Sequence, residues 1–145
     1  MSVPPDIHLE EEVMFYDTDC GGVVHNLAYL RLIEKARTQL ATRLGMALRE
    51  MADTQLFPVV LRTEIDYLRP ATLGDTLHIH GQLTGLQGPR FWVAFTIHRT
   101  TEPAQTLIAC RQSLALVQMP AARPTRLPEA WAQQWPQLIM KKAPR

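Results

Sequence analysis

The sequence predicts an α+β fold in which an antiparallel sheet packs against one long helix. One early strand, one helix and then four strands cannot form alternating βαβ units. A single stretch, residues 27–44, has helical periodicity, and its apolar stripe needs a sheet face to cover it. The later strands follow one another with short turns, as antiparallel neighbours do.

The elements follow in order. Ile7, Leu9, Val13 and Phe15 stand among acidic residues and mark a first strand over residues 7–15. In residues 27–44, Tyr29, Leu32, Ile33, Ala36, Leu40 and Leu44 recur at i, i+3/i+4, and Gly45 is a natural stop. Val59, Leu61, Thr63, Ile65 and Tyr67 alternate with Arg62, Glu64 and Asp66, which predicts a half-buried strand. After Pro70 and Gly74, Leu77, Ile79 and Leu83 face one way and His78, His80 and Gln82 the other. A turn at residues 85–89 joins this strand to the next, whose apolar face is Phe91, Val93, Phe95 and Ile97. Residues 106–117 are apolar on both faces and need cover on both. In the proline-rich tail, Trp131, Trp135 and Leu138 are spaced for one short helix, and residues 141–145 are expected to fray.

At 145 residues and 46% hydrophobic content, the chain suits one domain spanning residues 1–145. A formal net charge of +1, scattered along the chain, gives no basic stripe and so no nucleic-acid partner. No apolar run approaches the ~20 residues of a membrane span, and the N-terminus lacks a leader pattern, so a cytoplasmic location is expected. Cys20 and Cys110 are too few for a disulfide framework or a four-cysteine zinc site and read as free thiols.

Chemistry concentrates between the first strand and the helix. Asp17 and Asp19, spaced i, i+2, point to one side of an extended backbone, and Gly21 and Gly22 allow a sharp turn. Asn26 is the expected N-cap of the helix. The helix N-terminus carries roughly half a positive charge, which stabilises an oxygen gaining negative charge.

The run Asp17, Asp19, Gly22, Val24, Tyr29, followed by Glu34, Ala36 and Arg37, resembles the 4-hydroxybenzoyl-CoA thioesterase family of hotdog-fold acyl-CoA thioesterases. The tail Pro124-Thr125-Arg126-Leu127-Pro128 is also similar. The resemblance implies a hotdog fold, a five-stranded antiparallel sheet wrapped around one long central helix. It further implies hydrolysis of an acyl-CoA thioester to a carboxylic acid and free CoA, without metal or other cofactor. Asp19 is the implied catalytic residue, as nucleophile or as general base. Gly22, His25, Asn26 and Leu27 are the implied substrate contacts, with backbone N–H groups near Asn26 and Leu27 holding the carbonyl oxygen. Arg90, after the Gly88-Pro89 turn, is the implied CoA contact and suits phosphate. Relatives in the family form dimers or tetramers with sites at subunit interfaces, so a homodimer or homotetramer is expected.

Two rivals start from the same residues. An apolar strand ending in Asp17-Thr18-Asp19 is also similar to the first motif of magnesium-dependent haloacid-dehalogenase-type phosphatases. That reading needs a doubly wound parallel sheet and a later acidic pair, where this chain offers a single Asp75 and a strand-rich second half. The other rival is a non-catalytic acyl-binding hotdog protein. His78 and His80 have a spacing that suits a metal, but no acid or cysteine nearby in sequence completes a set, and a solvated strand face is expected there.

Overall fold

The computed structural model describes residues 2–141. Strand β1 (Asp6–Glu12) leads through a short 3-10 turn at Phe15–Asp17 into helix α1 (Asn26–Arg43), followed by a short helix α2 (Leu48–Thr54). Four long strands come next: β2 (Leu56–Tyr67), β3 (Thr76–Gln87), β4 (Arg90–Arg99) and β5 (Thr106–Gln118). A two-residue strand β6 (Arg123–Pro124) and helix α3 (Glu129–Gln134) complete the fold. The sheet order is β1-β3-β4-β5-β2, with β6 paired to β5, and every pairing of named strands is antiparallel. That topology rules out the doubly wound parallel sheet the phosphatase reading requires.

α1 forms because Tyr29, Leu32, Ile33, Ala36 and Leu40 fall on one stripe, and all five are buried. They meet Leu77, Ile79, Phe95, Ile97 and Leu107 from the inner face of the sheet. Full burial of each large side chain stabilises the fold by roughly 1.5–3 kcal/mol. Gly81 is part of the same fit, since a Cβ there would lie 2.7 Å from the Phe95 ring. A salt bridge between Lys35 and Glu11 ties α1 to β1.

Three expectations are corrected. The sheet has a sixth, two-residue strand, and α1 is followed by an unexpected helix, α2. α2 escaped notice because none of its residues is buried, so it shows no apolar stripe. Phe15 leaves the strand for the 3-10 turn and is exposed, so the acidic alternation of β1 ends at Glu12. β2 is not half-buried along its length: it is the edge strand, a bulge between Val60 and Arg62 breaks its alternation, and Val59, Val60 and Leu61 are exposed. The tail behaves as expected. Trp131 and Trp135 are buried, with Trp131 edge-on to Phe91 at 5.5 Å. Residues 142–145 of the stretch expected to fray lie outside the described residues.

Candidate active site

Residues 18–24 form a small hairpin. Thr18 bridges Val24, the Asp19 N–H donates to the Val23 carbonyl at 2.9 Å, and the Gly22 N–H donates to the Asp19 carbonyl at 3.1 Å. Gly22 closes this turn at φ +78, which only glycine adopts without strain. The Asp19 side chain joins the turn, its Oδ1 accepting the Gly21 N–H at 2.8 Å. Asp19 is exposed.

Asp17 is its opposite. It is 5% exposed, its Oδ2 accepts the Met14 N–H at 2.9 Å, and its Oδ1 accepts from Arg31 at 2.7 Å. Its carbonyl also takes the His25 N–H at 2.7 Å. Both carboxylate oxygens are committed to holding the loop on α1.

The helix start differs from expectation by one residue. His25, not Asn26, is the N-cap: its backbone is extended and its Nδ1 accepts the Leu27 N–H at 3.1 Å. Asn26 is the first helical residue, and its N–H has no intrahelical acceptor. Of the two N–H groups expected to hold a carbonyl oxygen, one is therefore open and the other is covered by an exposed imidazole.

A cleft of about 460 Å³ lies beside this helix start, lined by Asp19, Val24, Asn26, Tyr29, Tyr67 and residues 68–70. The structure brings Asp19 and Asn26 together in it; Gly22, His25 and Leu27 adjoin it through the loop and the first helical turn. Sequence reasoning passed over Tyr29 and Tyr67 as members of apolar stripes. The Tyr29 hydroxyl accepts the Ala71 N–H at 3.0 Å, and the Tyr67 hydroxyl donates to the Asn26 carbonyl at 3.4 Å. Burial raises the Tyr29 phenol above its ordinary value, so it remains a protonated, neutral support at physiological pH.

Residues 70–75, of which Pro70 lines the cleft, are held by Asp75 and Arg99. Asp75 Oδ2 accepts from the Thr72 N–H at 2.9 Å and from Arg99 Nε at 2.8 Å, and Arg99 also donates to the Pro70 carbonyl. Burial alone would raise the Asp75 carboxyl, but the Thr72 N–H and the Arg99 guanidinium outweigh it and hold it below its ordinary value.

Arg90 is not in this cleft. It pairs in register with Ala115, which pairs with Val59, whereas Tyr67 lies eight residues further along β2. At ~3.3 Å per residue that is about 26 Å. Arg90 instead lines a shallow groove on the sheet with Arg62, Trp92 and Arg111, its guanidinium 5.6 Å from the Trp92 ring. Of the two thiols, Cys20 is exposed and Cys110 is buried, and burial pushes Cys110 up to about 11, which makes it inert.

Residues 13–135 match the model of the thioesterase-like superfamily. A 1,4-dihydroxy-2-naphthoyl-CoA hydrolase from Synechococcus elongatus is 33% identical over 134 residues, covering 88% of this chain and 96% of that protein. The acyl-CoA thioesterase YbgC of Haemophilus influenzae is 30% identical over 102 residues, 68% of this chain and 75% of that one. In fold, a 1,4-dihydroxy-2-naphthoyl-CoA thioesterase from Synechocystis superimposes with a TM-score of 0.78 at 23% identity, over 92% of this chain and 98% of that one. With helix α1 laid on a curled antiparallel sheet and an aspartate at the helix start, this chain belongs to the thioesterase-like superfamily and is a hotdog thioesterase.

Proposed function

We propose that the protein hydrolyses an acyl-CoA thioester to a carboxylic acid and free CoA, with Asp19 as the catalytic carboxylate. The observation that carries the assignment is the division of labour between the two aspartates: Asp17 is buried and doubly bonded, while Asp19 lines the cleft with only Oδ1 tied to its own turn. Asp19 Oδ2 then either attacks the carbonyl carbon or takes a proton from an attacking water. The carbonyl oxygen, as it gains charge, is held by the Asn26 N–H and the positive end of α1. The Leu27 N–H joins it once the His25 ring swings aside, which gives His25 a gating part in substrate entry. Both described relatives act on acyl-CoA thioesters by name, which supports the substrate class.

The unit that carries this out is a homo-oligomer of one-domain subunits, paired through the exposed β2 edge. An antiparallel two-fold near Thr63, midway between Val59 and Tyr67, sets the Val59–Ala115–Arg90 row of one copy beside the Tyr67 end of the other. That pairing brings Arg90, remote from Asp19 in its own subunit, to the Tyr67 end of a partner copy, where its guanidinium suits the CoA phosphates. A cytoplasmic setting accords with the exposed free thiol of Cys20 and with the lack of any described helix long and apolar enough to cross a membrane.

The test is thiol release from a panel of aromatic, short aliphatic and long-chain acyl-CoA thioesters in excess EDTA. Hydrolysis of at least one is expected, because the site stabilises charge with backbone dipoles. Activity toward phosphate esters alone, dependent on magnesium, would overturn the proposal.

A further inference from the structure

Four of the five histidines gather on the outer face of the sheet, the face turned away from α1. Leu77, Ile79 and Gly81 of β3 are buried inward, so His78 and His80 point outward between them. Register then adds what sequence order conceals: β1 sets His8 opposite His80 and Glu10 opposite His78, and β4 sets His98 on the other side of His78. Asp6, one outward position along β1, completes the group. Strand pairing thus supplies the acid that the sequence order places far from the histidine pair.

The donor atoms converge. His8 Nε2 lies 3.0 Å and His80 Nε2 3.1 Å from the same oxygen, Asp6 Oδ2, and the three ligand atoms all fall within 4.8 Å of one another. Ligands about 2.0–2.1 Å from a tetrahedral ion stand about 3.3 Å apart, so small movements of the rings admit one. The His8 and His80 rings are stacked 4.2 Å apart and 9° from parallel, with both Nε2 atoms brought to one carboxylate oxygen. His8 Nδ1 is 2.8 Å from His78 Nε2. That is the arrangement of a metal-bound histidine whose other ring nitrogen donates to an outer partner, which fixes its tautomer. His78 in turn stacks on His98 at 4.8 Å.

We propose that Asp6, His8 and His80 bind a divalent transition-metal ion of the zinc or nickel type, with His78 as the outer partner of His8. Two imidazoles and one carboxylate suit such ions and not magnesium or calcium, which take all-oxygen sets. The ion pins β1 to β3 and leaves its remaining positions open to water. It lies across the sheet from α1, near the edge opposite β2, so it takes no part in thioester hydrolysis.

The experiment is calorimetric titration of the tag-free protein with zinc chloride, without substrate, so that its outcome is independent of the thioesterase reading. One ion per chain at roughly micromolar affinity is expected. Asp6→Asn, His8→Ala and His80→Ala should each weaken binding at least ~10-fold, as loss of even an outer partner does, while His25→Ala should leave it unchanged. In the unmutated protein, zinc should shift the imidazole nitrogen resonances of His8 and His80 and not those of His25, a readout that needs no variant to fold. Binding that does not saturate at one ion per chain, variants that bind zinc like the wild type, or unmoved His8 and His80 resonances would overturn the proposal.

Discussion

At the β1 edge of the sheet, Glu10, Glu11 and Glu12 line the strand, Lys35 reaches over from α1 to Glu11, and Asp6 is shared by two histidines, whereas at the β2 edge Val59, Val60 and Leu61 stand exposed. Both strands have a sheet neighbour on one side only among the described residues. Charge on an edge blocks pairing with another copy, while an apolar edge invites it. The contrast fits a sheet extended on one side only, the side on which the cleft opens, as the proposed pairing requires.

The largest expected effect follows from that asymmetry. Val59→Lys with Leu61→Lys changes side chains already exposed in the single chain, so folding should change little. The pair should convert the protein to a monomer of about 16.5 kDa by light scattering and lower turnover by at least ~10²-fold, the scale of losing positioned catalytic groups. The same two changes at Glu10 and Glu12, on the closed edge, should leave assembly intact. A monomer that turns over at the wild-type rate would show that the site needs no second copy.

A smaller effect is expected at Arg90, which the proposed β2 pairing would bring to the Tyr67 end of a partner copy. A hydrogen bond to a charged group contributes about 1.5–3 kcal/mol, so Arg90→Ala should raise KM for acyl-CoA by roughly 10-fold or more. KM for a truncated thioester lacking the nucleotide should stay near the wild-type value. Equal changes for both substrates would remove Arg90 from the nucleotide end.

The smallest effect concerns the segment that begins at the cleft-lining Pro70. Because the Asp75 carboxyl is held below its unfolded value of ~3.9, it stabilises the fold above that pH, and the contribution is lost as pH falls through the lower, folded value. Denaturant unfolding of the wild type and Asp75→Asn should therefore differ at pH 7 and converge as the pH drops below about 4. A gap that stays constant with pH would mean that the charge of Asp75 does not hold residues 70–75.

The sequence made most of this fold legible, for reasons that differ by element. α1 and β3 to β5 were readable because their apolar residues face one core with an unbroken period, as Ile33, Ile79 and Phe95 show. β2 was misread because alternation reports apolar spacing and not what covers it. Val59 and Leu61 belong to an edge strand, exposed among the described residues. At the site, the loop bearing Asp17 and Asp19 was legible from its glycines and the following helix, the choice of Asp19 came from the family resemblance, and the cap assignment slipped to Asn26 because histidine is not among the usual caps. The metal-type cluster was hidden because Asp6 and His80 are neighbours only through the β1–β3 register.

The central claim is that Asp19 carries the chemistry while Asp17 holds the loop, and the most direct measurement is single-turnover hydrolysis by Asp19→Asn beside Asp17→Asn. Asn keeps the shape of Asp19 and its bond to the Gly21 N–H but removes the charge needed to attack a carbonyl or activate a water. General-base catalysis alone is worth roughly 10²–10⁴-fold, so Asp19→Asn should lose at least ~10²-fold in rate with acyl-CoA binding kept. Asp17→Asn should act on stability, at a cost of about 1–3 kcal/mol from its weakened bonds to Met14 and Arg31, and retain turnover in the folded fraction. Wild-type turnover by a folded Asp19→Asn protein, or complete loss in a folded Asp17→Asn protein, would contradict the account.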